Sequence, residues 1–227
     1  MTASRRQADP WALGGILFAV FFILGDILRG VLANDPLPLP GAPAVEAARY
    51  FTENQTAVLV VALCQVLSAL SLFVFVAPVA AFVRRTADER GALPRLASGG
   101  GVLSAVLLLA CALLGLVLAL TAAGLGLGLV DTLRQANFLT GGTLHVASLG
   151  LFVGAVSIAA RRGKALPPWI SWLGMVQATL AILSLASLVF FPAALFILLG
   201  RMLGFVWCIA AGIVLALGRQ RGAVVGG

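Results

Sequence analysis

The chain has 227 residues, of which 61% are hydrophobic and 10% charged, with a mean hydropathy of +1.10. A water-soluble fold of this size has no core large enough to hide that apolar share, so a soluble globular protein is excluded and the solvent is largely lipid. The net charge of +7 comes from basic residues set in short segments between apolar runs, not along one face, which excludes a nucleic-acid-binding surface as its meaning.

A bilayer core of about 30 Å needs roughly 20 apolar helical residues per crossing. Six stretches meet that need: Trp11 to Ala33, Ala57 to Val83, Val102 to Ala123, Phe138 to Ala160, Trp169 to Phe191 and Ala193 to Leu217. The fold class expected is all-α, a polytopic bundle of six transmembrane helices forming one domain over residues 1–227.

The first span follows Arg5 and Arg6 and ends near Asp26, Arg29 and Val31-Leu32-Ala33. That tripeptide has the form of a signal cleavage site. The apolar run, however, exceeds the about 7 to 15 residues of a signal and carries two charges just before it, so a retained span is expected. The outer loop that follows opens with Pro36, Pro38 and Pro40 and then spells a short helix near 43–54, with Glu46, Arg49 and Glu53 on one face. It is expected to lie on the membrane surface as a solvated cap; a partner-binding helix is the alternative.

The second span carries Gln65 and runs into Arg84-Arg85, then Gly91-Ala92-Leu93-Pro94. A similar series, Arg161-Arg162-Gly163 and then Ala165-Leu166-Pro167, joins spans four and five. Spans two and three are therefore either a parallel copy of four and five or share only the chemistry of a basic turn that starts a helix. Spans five and six are divided only by Phe190, Phe191 and Pro192, which predicts a tight outer hairpin.

Orientation follows from Lys and Arg. Arg5, Arg6, Arg84, Arg85, Arg90, Arg95, Arg161, Arg162, Lys164, Arg219 and Arg221 fall on one side, against Arg49 and Arg134 on the other. The positive-inside rule then puts both termini in the cytoplasm, N-in and C-in. Cys64, Cys111 and Cys208 all lie within spans, which excludes a disulfide framework.

Helices in lipid associate where small residues let backbones approach. Gly200, Gly204, Cys208, Gly212 and Ala216 form such a stripe in the sixth span, Cys111, Gly115, Ala119 and Ala123 another in the third, and Gly150 with Gly154 a GxxxG pair in the fourth. These faces are expected to be buried as packing surfaces.

Polar residues inside spans are expensive, so their depth matters. Asp26, Arg29, Gln65, His145 and Arg201 all fall within roughly 5 to 14 Å of the outer boundary at 1.5 Å per residue. Each shares a face with small residues. Asp26 and Arg29, three apart, can pair, which leaves Arg201 without a carboxylate and the layer with a surplus positive charge. A bound anion, lipid headgroup or small solute, would complete it; an ion pair with Arg201 reaching the headgroups needs none. Gln177 reads as interhelical glue.

No metal site or cofactor is implied: one histidine excludes a bis-His haem, and neither HExxH nor a nucleotide-binding loop is present. No catalytic residue is singled out, although a serine beside His145, Ser68 or Ser148, would keep an intramembrane hydrolase open. The partners expected are the lipid bilayer, an anionic lipid or small anion, and a membrane protein or second copy docked on a small-residue face.

Gly14-Gly15 in the first span, Val45-Glu46-Ala47-Ala48-Arg49-Tyr50-Phe51 after the Pro-rich loop, and Ala165-Leu166-Pro167-Pro168-Trp169-Ile170-Ser171-Trp172-Leu173-Gly174 resemble uncharacterised families of bacterial six-span integral membrane proteins. The resemblance covers most of the chain and implies a multi-pass protein of the cell membrane. It brings no activity and no functional residues.

Overall fold

The computed structural model describes residues 8–86 and 91–218; Arg5, Arg6, Arg90, Arg219 and Arg221 of the orientation count lie outside them. The described residues contain no strand. A 3-10 turn, Pro10–Leu13, leads into α1 (Gly14–Leu32), followed by α2 (Ala44–Glu53), α3 (Gln55–Thr86), α4 (Ala92–Thr121), α5 (Leu127–Phe138), α6 (His145–Arg162), α7 (Pro168–Leu183) and α8 (Leu195–Ala216). A π-helical turn, Leu139–Leu144, joins α5 to α6. Among the described residues six helices are long and apolar enough to cross a membrane: Pro10–Leu32, Gln55–Thr86, Ala92–Gly124, Leu127–Arg162, Pro168–Leu188 and Phe191–Ala216.

The six expected spans are all present, and two begin earlier than apolar content alone predicts. The third starts at Ala92, because Ser98 and Gly99 to Gly101 continue the helix beneath the apolar run. A Cβ at Gly100 would stand 2.9 Å from the Phe152 amide, so only a glycine lets α4 approach α6 there. The fourth starts at Leu127, since α5 is polar on one side but buries Val130 and Arg134 on the other.

Leu-Pro falls differently in the two basic hairpins. Pro94 lies inside the first turn of α4, whereas Pro167 precedes α7 as its N-cap. The connections are therefore not superposable copies at that point. With an even number of crossings the first and last described residues lie at one end of the bundle, where the Asp9 amide donates to the Leu215 carbonyl at 3.4 Å.

The expected surface helix is α2, and it packs on the bundle. Ala47, Tyr50 and Phe51 are buried against Val58, Leu118, Ala119, Ala122 and Val130, so α2 caps one end of α3, α4 and α5. Glu46, Arg49 and Glu53 face away from that contact, with Arg49 and Glu53 paired at 3.8 Å.

The middle of the bundle is aromatic. Phe75, Phe152 and Trp207 meet edge to face at 6.0 to 6.5 Å, and Phe205 packs on Phe18 and Phe22 at 5.3 and 5.1 Å. Five of the six glycines expected at packing faces sit in tight contacts. A Cβ would stand 2.6 Å from Ala181 Cβ at Gly150, 2.9 Å from Ala178 Cβ at Gly154, and 3.0 Å from Val146 Cγ1 at Gly200. It would stand 2.8 Å from Leu149 Cδ2 at Gly204 and 2.7 Å from the Ala12 carbonyl at Gly212. Gly115 differs: its nearest neighbour would be Asn137 Nδ2 at 3.6 Å, because this glycine faces a cavity. Gln177 is interhelical glue, its Nε2 donating to the Gly200 carbonyl at 3.0 Å.

Candidate functional site

At the end of the bundle that α2 covers, α1, α3, α4, α8 and the α5–α6 junction diverge around a cavity of about 300 Å³. Four of the five polar residues expected to share a layer line it: Asp26, Arg29, Gln65 and Arg201. Asp26 and Arg29 pair at 2.5 Å as their i, i+3 spacing predicts. Arg201 makes no ion pair among the described residues. Its Nη2 donates to the Gly141 carbonyl at 2.5 Å, and its guanidinium lies 4.8 Å above the Phe22 ring. The Arg201 Nε is buried without a hydrogen-bond partner. The π-helical turn thus offers Arg201 a carbonyl inside the bundle. Asp26, Arg29 and Arg201 sum to one positive charge, and no other charged residue among those described lines the cavity.

His145 is not part of this cavity. It is fully buried between α4 and α6, with Nδ1 2.9 Å from Ser104 Oγ and also 2.9 Å from the Ser104 carbonyl, and its ring meets Phe18 edge-on at 6.1 Å. The serine beside it is thus Ser104, neither Ser68 nor Ser148. Ser68 donates to the Phe18 carbonyl at 2.8 Å. Ser104 and His145 are each 0% exposed, and neither lines this cavity.

Several residues at the site escaped the sequence pattern. Asn137 lines the cavity and donates to the Cys111 carbonyl at 2.7 Å; it lies just before the apolar start of the fourth span. Above the cavity, an open vestibule of about 1270 Å³ lies between the Pro-rich segment, α2 and the α7–α8 hairpin. Leu37 and Tyr50 line both spaces. Burial pushes the Tyr50 phenol above its ordinary pKa, opposed by the nearby charge of Arg29, so its hydroxyl stays a neutral donor.

The Pro-rich segment is a strap held from below. Arg134, 6% exposed, donates to the carbonyls of Leu39 at 2.6 Å and Ala42 at 3.1 Å and is paired with Asp131. A segment with few amides of its own cannot build a ladder, so a buried guanidinium that binds its carbonyls is what fixes it. The sequence signal was an arginine three residues after an aspartate on a helical period. It was legible as a pair but not as a clamp.

No protein-family model, no curated protein and no solved structure matches the chain. The class rests on the fold itself: this is a multi-pass integral membrane protein, an all-α bundle in a lipid environment.

Proposed function

We propose that the outer cavity binds the anionic group of a small amphiphile or solute, in the manner of a lipid- or solute-binding, transport-like membrane protein. The observation that carries this reading is Arg201: an intramembrane guanidinium without a carboxylate partner among the described residues, its buried Nε unpaired, at the base of a cavity. Around it Phe22, Val58, Val61, Phe138 and Ile197 offer apolar walls, which favours a ligand with a hydrocarbon part. The vestibule carries Asp35, Glu46 and Arg49 and is no cationic funnel, so preference for an anion rests on Arg201 alone. The phenylalanines beneath Arg201 close the cavity toward the other end, so passage would require α1 and α8 to part.

We further place the protein in the cell membrane with both ends cytoplasmic, on the Lys and Arg asymmetry of its connections. The resemblance to uncharacterised bacterial six-span proteins fits that setting.

The test is binding of dodecyl phosphate and of inorganic phosphate to the full chain in phosphatidylcholine nanodiscs, followed by calorimetry. Dodecyl phosphate should bind, and Arg201→Gln should weaken it about ten-fold or more, the loss of one charge-assisted hydrogen bond. Inorganic phosphate binding as well would assign the site to a free anion. Equal affinity in wild type and Arg201→Gln for both probes overturns the proposal. The assembly reading is less favoured, because Gly200, Gly204 and Gly212 are consumed in contacts within the chain and are not free to dock a partner or second copy.

A further inference from the structure

At the opposite end of the bundle, the turn between α6 and α7 encloses a second cavity, of about 320 Å³. Arg161, Lys164, Ser171 and Trp172 line it, and no carboxylate among the described residues does. We propose that this turn binds a phosphate group, supplied by an anionic phospholipid headgroup or by free phosphate, at a site independent of the outer cavity.

Three observations converge. First, the Arg161 guanidinium lies 4.0 Å over the Trp172 ring. Stacking fixes its plane and leaves the in-plane N–H donors open, the arrangement that suits a phosphate's oxygens. Second, Ser171 is 2% exposed and lines the cavity, yet its buried hydroxyl has no hydrogen-bond partner. A buried hydroxyl left unpaired is costly, and an oxyanion acceptor would satisfy it. Third, Lys164, the chain's single lysine, has φ 49°, in the left-handed region. It ends α6 with the Ala165 amide bonded to the Ala160 carbonyl at 2.9 Å and its own amide to the Arg161 carbonyl at 3.3 Å. Glycine normally takes that place, because side chains rarely adopt it. Here Gly163 sits one residue earlier with an ordinary φ of −81°, and the strained position is given instead to a lysine that lines the cavity.

The N-terminus of α7 adds little beyond its dipole. Pro168 has no amide, and the Ile170 and Ser171 amides turn back onto the Pro167 carbonyl. The side chains carry the site. Trp169 and Trp172 are 57% and 55% exposed, as aromatic residues are where a bundle meets headgroups.

The test uses the full chain. Native mass spectrometry compares retention of phosphatidylglycerol with that of phosphatidylcholine, and tryptophan fluorescence follows a titration with inorganic phosphate. Phosphatidylglycerol should be retained preferentially, and Arg161→Gln and Lys164→Gln should each reduce retention about five-fold, the worth of one surface cation toward an anionic lipid. Lys164→Gly separates binding from folding: it relieves the strained backbone, so it should raise the Tm while lowering retention. Arg201→Gln should leave retention unchanged, so failure here and failure of the outer cavity are distinguishable. A fluorescence response to phosphate that Lys164→Gln abolishes assigns the site to the free anion; its absence, with lipid retained, assigns it to the headgroup. If neither probe responds, or if Lys164→Gly and Arg161→Gln retain phosphatidylglycerol as wild type does, the proposal is overturned.

Discussion

The middle of this bundle and the end that α2 covers are built on opposite terms. Around Phe75, Phe152 and Trp207 every side chain meets another, edge to face, and glycines bring the backbones together. Around Arg201 the helices part, and polar groups are held one by one on main-chain carbonyls: Arg201 on Gly141, Asn137 on Cys111, Arg134 on the strap. Where hydrocarbon surrounds the helices, no hydrophobic force draws them together, so close packing is the main source of stability. The tight region therefore carries the fold and leaves the end around Arg201 free to keep an opening.

That contrast can be broken by mutation. The largest loss of stability should come from Phe152→Ala, about 3 to 5 kcal/mol for a buried aromatic replaced by a void, measured by reversible unfolding in mixed micelles. Next comes Gly150→Leu, about 1 to 3 kcal/mol, since Ala181 Cβ leaves no space for a side chain. Asn137→Ala at the cavity should cost only about 1 kcal/mol, one hydrogen bond; a loss as large as that of Phe152→Ala would erase the distinction. Arg134→Ala should cost a similar amount or somewhat more, with its effect concentrated locally: proteolysis between Pro36 and Pro43 should accelerate several-fold while the spans stay protected. The smallest effect belongs to Arg49→Ala, below about 0.5 kcal/mol, because its pair with Glu53 is exposed on both sides.

Much of this arrangement is written locally in the chain. Apolar run length marks six crossings, and small-residue spacing marks the faces of α6 and α8 that meet α7. The spacing of Asp26 and Arg29 also declares their pair. What escapes local reading is whatever depends on continuity through polar sequence. Asp131, Arg134 and Asn137 look like loop by hydropathy, yet they extend a helix because one side of it buries Val130 and Arg134. Gly115 fits a packing stripe by spacing alone, but whether a small residue meets a neighbour or an opening is decided by helices far away in sequence. Arg201 was legible as a charge lacking a carboxylate. Its carbonyl partner was not, because backbone acceptors carry no sequence signature.

The wide turn at Leu139–Leu144 sets the angular phase of everything after it. Closing i to i+5 instead of i to i+4 takes in one surplus residue. Side chains downstream are thereby swung by roughly 100° relative to those upstream. Asn137, Gly141 and His145 all meet α4, the first two at Cys111 and the third at Ser104, seven residues earlier along that helix. Excising one residue from that turn would re-index α6 against α4 and α7 at once, taking His145 off Ser104 and Gly150 off Ala181 together.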